Sequence, residues 1–159
     1  LIDPEIVDNV VNVFRNNSYD YITNFLSNPT FPSGTEVEIF SINALKKAWK
    51  KAKLPSEKEH VTPYFSNHED KFKISHIGNS ENLSHLRWAV DRIEDLKLVR
   101  TIASKIKKRP ILMKDILELF TREPELVEMN KNVNREEGGL KSLKEDQDFL
   151  QNQSGVKST

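Results

Sequence analysis

Apolar residues along this chain switch repeatedly between a two-residue alternation and a three- to four-residue recurrence, a pattern that points to an α/β layer architecture. Asp3 is a good N-cap and Pro4 fits a first helical position, after which Ile6, Val7, Val10, Val11 and Phe14 form a helical stripe. Tyr19 to Phe25, between Asn16, Asn17 and Ser27, Asn28, Pro29, reads as a strand between turns. Thr35 to Phe40 alternates, with Val37 and Ile39 on one face and Glu36 and Glu38 on the other. Ser41 then opens a helix in which Leu45, Ala48, Trp49 and Ala52 are expected to share the core face, leaving Lys46, Lys47, Lys50 and Lys51 to water. Ser56 and Glu59 have capping-box spacing for a turn through His60 to Tyr64, limited by Pro63. Phe72, Ile74 and His76 suggest another strand, and His85 to Val90 a further one. From Ile93 the period is helical until Pro110, and short helices follow over Met113 to Phe120 and Glu123 to Met129. Asn130 to Gly139 is polar without a clear core face, and the segment 147–159 is expected as a frayed tail.

Composition excludes several classes of function. The 24 basic and 24 acidic side chains cancel, so no global field steers the chain to nucleic acid or to an anionic membrane. No apolar run approaches the roughly 20 residues of a membrane span, and the N-terminus has no secretory pattern. The absence of cysteine excludes disulfides, thiolate ligands and thiol nucleophiles, and suits a cytoplasmic protein. Because the chain starts at Leu1 with a helix signal at once, it is expected to begin inside a domain, its sheet lacking strands from an N-terminal part.

Candidate chemistry is sparse. There is no phosphate loop, no GxSxG elbow, no HExxH and no paired Cys/His spacing. Asp91 follows an apolar strand and precedes a helix, where it either holds a metal or phosphate group at a strand end or caps the helix. Magnesium suits such a hard oxygen ligand. His60, beside Lys58, Glu59, Thr62 and Tyr64, either orients an anionic group or plays a surface or core role. Arg87 either forks onto a carboxylate or phosphate or pairs with an acidic neighbour. Trp49 amid lysines is a nucleic-acid signal in form, but its helical position favours core packing, so no nucleic-acid partner is expected.

Several phrases taken together resemble one family: Leu1 to Asp8, Tyr19-Asp20-Tyr21 with Thr23-Asn24, Phe31 to Phe40, Glu59 to Tyr64, and Leu83 to Asp91. Their order is similar to that of the spore-coat polysaccharide biosynthesis protein SpsF group. Those proteins are cytidylyltransferase-like relatives of the enzymes that make CMP-Kdo and CMP-neuraminate. The resemblance runs over residues 1–146 and ends in Arg135 to Asp146. It implies a nucleotide-diphospho-sugar transferase fold, a three-layer α/β/α sandwich of which this chain is the C-terminal portion. The nucleotide loop and one acidic metal ligand would lie in the N-terminal half.

By the same resemblance, Asp91 in Val90-Asp91-Arg92-Ile93-Glu94-Asp95 matches the second acidic metal ligand, with Mg2+ as the cofactor. His60 matches a sugar-contacting histidine, and Arg87 and Glu38 are candidates for the sugar pocket. The implied activity is transfer of CMP from CTP to a sugar acid or related sugar in surface polysaccharide biosynthesis, with homodimerisation common among the relatives. The chain alone is expected to be inactive. Ser33 and Glu36 replace two aspartates of the family phrase Pro-Asp-Gly-x-Asp-Val-Glu, Ile93 stands near a usual proline, and Glu136-Glu137-Gly138-Gly139 replaces Asn-Glu-Gly-Tyr. These departures bear on substrate identity more than on fold. The rival functions are a glycosyltransferase of related fold, which would use an already activated nucleotide sugar, and a noncatalytic scaffold domain.

Overall fold

In the computed structural model, residues 1–25, 28–133 and 137–155 are described. Helix α1 (Pro4–Arg15) starts where the sequence placed it, because the Asp3 carboxylate accepts the Glu5 N–H at 2.7 Å. The second oxygen of Asp3 accepts the Met113 N–H at 2.6 Å, so one buried carboxylate serves the first turns of two helices 110 residues apart. Burial is affordable for this carboxylate because both oxygens are hydrogen-bonded.

Three short strands lie within the segments expected to be strands: β1 (Tyr21–Thr23), β2 (Glu38–Phe40) and β3 (Ile74–His76). They form a mixed sheet of order β2-β1-β3, antiparallel on one side of β1 and parallel on the other. Central β1 is buried at all three positions, which suits its Tyr-Ile-Thr composition. The segment predicted as a strand over His85 to Val90 forms a single parallel bridge, Ser33 to Arg87, closed by Ser33 N–H to Leu86 O at 3.0 Å and Trp88 N–H to Ser33 O at 2.9 Å.

Helices α2 (Ile42–Lys51), α3 (Pro55–Glu59) and α4 (Pro63–Ser66) lie between β2 and β3 in the chain. Ser41 caps α2 through the Ala44 N–H at 3.1 Å, as predicted. Trp49 departs from the expectation: it is 78% exposed, while Ala44 and Ala48 are buried. The reason is steric. Ala44 and Ala48 pack on a cluster of Tyr21, Tyr64, Phe65 and Phe72. Tyr21 stacks on Phe65 with ring centroids 4.7 Å apart, and Phe65 meets Phe72 edge-on at 4.9 Å. Rings already fill that space, so only small side chains fit the helix face against them.

Glu57 takes the capping role the sequence gave to Glu59. Its carboxylate accepts the Lys53 and Leu54 N–H groups at 2.9 and 3.2 Å, and Asn67 Nδ2 at 3.2 Å. Burial pushes its pKa up, but these donors and His68 outweigh it and hold the group below the usual carboxylate range.

Helices α5 (Ile93–Lys105), α6 (Met113–Arg122) and α7 (Glu125–Glu128) build a second core. Trp88, Leu98, Ile102, Ile116, Leu119 and Phe120 are its centre, with Trp88 and Phe120 edge-on at 6.0 Å. Helix α8 (Glu137–Gly155) runs past residue 147, where a frayed tail was expected. Ser27, Arg135, Glu136 and residues 156–159, all within segments named above, lie outside the described residues.

The charged centre of the second core is Asp95 at position N3 of α5, fully buried. Its Oδ1 accepts Arg87 Nε at 3.0 Å and Asn130 Nδ2 at 2.7 Å; its Oδ2 accepts Arg87 Nη2 at 2.9 Å and the Asp91 and Arg92 N–H groups at 3.1 Å each. Burial raises the Asp95 pKa, yet the guanidinium, the Asn130 amide and the two N–H groups overcome it and hold the carboxyl far below the usual range. Asp95→Ala is expected to cost about 3–5 kcal/mol, because it leaves Arg87 buried and unpaired. A lowered folded pKa contributes stability above the unfolded value and loses it as pH falls. Denaturant titrations should therefore show the wild type losing stability below about pH 4 and the Asp95→Ala variant losing less over that interval.

Candidate functional site

The predicted site residues fall into two groups. Arg87 and Asp91 form one; Glu38 and His60 belong to the other. The loop between Pro32 and Val37 links them along the chain.

In the first group, Arg87 is buried and its guanidinium is engaged within the protein. Besides Asp95 it donates to Asp91 Oδ2 and, at 3.3 Å, to Ser33 Oγ. Four of its five N–H donors therefore have protein acceptors. The acidic-neighbour alternative describes Arg87 in this structure, and its pKa is raised chiefly by the Asp95 bond. Asp91 does not cap α5, since Asp95 performs that role; its side chain is 70% exposed. Asp91 is thus a surface carboxylate with one oxygen fixed from beneath and Oδ1 without a hydrogen-bond partner among the described residues.

Loop geometry ties this carboxylate to the family-like phrase at Pro32 to Glu38. Gly34 has φ +98°, and a Cβ there would lie 2.8 Å from Ala89 Cα and from the Trp88 carbonyl carbon. Only glycine allows so close an approach to the backbone leading into Asp91. Buried Asn24 holds the other side of the loop, donating to Thr35 O at 2.9 Å and accepting the Val37 N–H at 2.7 Å.

In the second group, the exposed Glu38 carboxylate accepts the Tyr21 hydroxyl. Burial and this carboxylate push the phenol far above the usual tyrosine range, opposed by the hydroxyls of Thr23 and Thr62. Tyr21 is therefore a permanent donor at any physiological pH, and it fixes one oxygen of Glu38. Thr62 connects the phenol to His60. Between them Val61 has φ +65°, and the Thr62 N–H donates to the His60 carbonyl at 2.7 Å, which is a γ-turn of the rare strained hand. A β-branched residue at positive φ is a conformational outlier, and such outliers cluster at functional sites. His60 is exposed, with Nε2 3.1 Å from Ser142 Oγ.

Among the described residues no three His, Asp or Glu side chains converge as a metal cage. Magnesium does not need one: it commonly takes one or two carboxylates together with water and substrate phosphate. The donor set at Asp91, one exposed hard carboxylate, fits that mode. Among the described residues no helix is long and apolar enough to cross a membrane.

Asp95, Tyr21 and Thr62 are the contributors that the sequence reading left without a role. The four-residue spacing of Arg87, Asp91 and Asp95, with a carboxylate at N3 before an apolar run, is a visible signal for Asp95. Nothing in the sequence marks Val61 for positive φ.

No protein-family model matches the chain. An uncharacterized protein of Methanocaldococcus jannaschii is 30% identical over 131 residues, 81% of this chain and 52% of that protein. A cytidylyltransferase structure from Leptospira borgpetersenii serovar Hardjo-bovis is similar with a TM-score of 0.77 and 29% identity, over 84% of this chain and 56% of that one. The chain spans about half the length of both. Its mixed α/β fold is similar to that of a cytidylyltransferase.

The γ-turn yields a stability prediction. Val61→Gly removes a left-handed penalty of about 1–2 kcal/mol and adds a glycine entropy cost of about 0.5–1 kcal/mol. Thermal melts should show a Tm equal to or above that of the wild type, and a fall of several degrees would mean the turn is not strained.

Proposed function

We propose that this chain is the sugar-side portion of a metal-dependent nucleotidyltransferase that moves CMP from CTP to a hydroxyl of a sugar acid or related sugar, releasing pyrophosphate. The observation that carries the reading is the likeness to the Leptospira cytidylyltransferase, extending over 84% of this chain. Its expected setting is a three-layer α/β/α sandwich completed by an N-terminal half, in a cytoplasmic enzyme, with a homodimer as the expected assembly and surface polysaccharide as the destination of the product.

In the reaction, the sugar hydroxyl oxygen forms a bond to the α-phosphorus of CTP and gives up its proton to solvent, the bond from that phosphorus to the bridging oxygen breaks, and pyrophosphate leaves with its electron pair. When bound, magnesium neutralises charge on the phosphate oxygens and aligns them. Asp91 would hold it through its exposed carboxylate. Arg87 contributes by fixing Asp91 Oδ2, which makes it a positioning residue; this differs from the sugar-pocket role expected from the resemblance, because four of its five donors already have protein acceptors. Glu38, with one oxygen fixed by Tyr21, can accept a hydrogen bond from a sugar hydroxyl. His60 can orient the sugar from the turn it begins. Positioning of this kind accounts for much of phosphoryl-transfer catalysis.

The full-length enzyme, assayed for pyrophosphate release from CTP and Mg2+ across a panel of sugar acids, should turn over at least one of them. Asp91→Asn should lower kcat by about 100-fold or more while the melting curve stays close to that of the wild type, since Asp91 is exposed. The 159-residue chain alone should give no turnover. An absence of release with every sugar, or full activity in Asp91→Asn, would overturn the assignment.

A further inference from the structure

We infer that helix α8 sets the conformation of the His60–Val61–Thr62 turn, with Ser142 and Asp146 acting as positioning residues for His60. The functional meaning of this rests on the reading above, but the contacts do not. Helix α3 has five residues, too few to persist alone in water. Two side chains of α8, four residues apart and so on one face, hold both its ends. At the N-terminal end, Asp146 Oδ1 accepts the Ser56 N–H at 3.0 Å and Oδ2 accepts the Ser56 hydroxyl at 2.5 Å, both residues being buried. At the C-terminal end, Ser142 Oγ lies 3.1 Å from Nε2 of His60, the residue that closes α3.

A left-handed γ-turn at a valine persists only where its flanks are fixed from outside. On the downstream flank, Pro63 opens α4, and Tyr64 and Phe65 are anchored in the aromatic cluster. Upstream, α3 is anchored by Glu57, which joins it to its own entry and to Asn67 beyond α4, and by Asp146 from 90 residues away. Glu57 fixes the entry into α3 and, through Asn67, its approach to α4, while the two α8 contacts fix Ser56 near its start and His60 at its end. The Ser142 contact fixes the imidazole itself: whichever of the two groups donates, Nε2 is engaged by the serine, and among the described residues Nδ1 has no hydrogen-bond partner. Neither Ser142 nor Asp146 would be found by looking for residues near the sugar.

The inference is tested on the full-length enzyme by imidazole nitrogen NMR and by hydrogen exchange at the Thr62 amide. Ser142→Ala, at a surface contact, should leave Tm unchanged and shift the His60 nitrogen resonances, while those of His68, His76 and His85 stay in place. Asp146→Ala should speed Thr62 exchange at least tenfold more than exchange at Ile22 in β1, and should raise the KM for sugar more than it lowers kcat. Asp146→Asn, which keeps an acceptor for the Ser56 N–H, should restore most of the protection and serves if the alanine variant does not fold. His60 resonances unmoved in Ser142→Ala, or Thr62 protection unchanged in a folded Asp146→Ala, would overturn the inference. If the enzyme turned over no sugar while these resonances moved as stated, the proposed function would fail and the role of α8 would stand.

Discussion

The buried Asp95 carboxylate is the interaction on which the rest of this structure depends. It closes the first turn of α5, pairs with the buried Arg87 guanidinium, and receives the Asn130 amide from beyond α7. Each partner alone would be a costly buried polar group; together they satisfy one another, and among the described residues no buried side-chain polar atom lacks a partner. A buried pair of this kind is weak evidence for net stability, because apolar replacements of similar volume often serve as well. Its consequence here is geometric. Arg87 is held in one orientation and so fixes one oxygen of the exposed Asp91 carboxylate at the surface.

The second group repeats this logic on the sheet. Tyr21 is buried and permanently protonated, and it fixes one oxygen of the exposed Glu38. In both places a buried donor aims an exposed carboxylate, and the glycine-dependent loop at Gly34 joins the two supports by lying against the backbone of Trp88 and Ala89. The strained turn after His60 is the third part, and unlike the other two it is held by a helix from the far end of the chain.

How much of this the sequence disclosed follows from the range of each interaction. Local signals were legible: Asp3 and Ser41 cap the helices they were expected to cap, composition between turn residues located β1, and the two-residue alternation located β2 and β3. Trp49 was misplaced because periodicity identifies a helix but leaves the centre of its buried face uncertain by a residue; the aromatic cluster, built from three other segments, selected Ala44 and Ala48. Arg87 and Asp91 were singled out individually, yet which carboxylate caps α5 depends on competition between Asp91 and Asp95 four residues apart. Asp146 on Ser56 could not be read at all, since a separation of 90 residues leaves no local pattern. The resemblance to a cytidylyltransferase family agrees with the structural likeness, whereas its residue assignments rest on positions that only the supporting contacts explain.

The central claim is that Asp91, oriented by the Arg87–Asp95 pair, carries the metal of a nucleotidyl-transfer site. Its most direct test is paramagnetic broadening by Mn2+, substituted for Mg2+ in the full-length enzyme with CTP bound. The account predicts that the amides of Ala89 to Ile93 broaden selectively and that Asp91→Asn abolishes this broadening. Manganese that binds with CTP but leaves those amides sharp, or broadens them equally in Asp91→Asn, would contradict it.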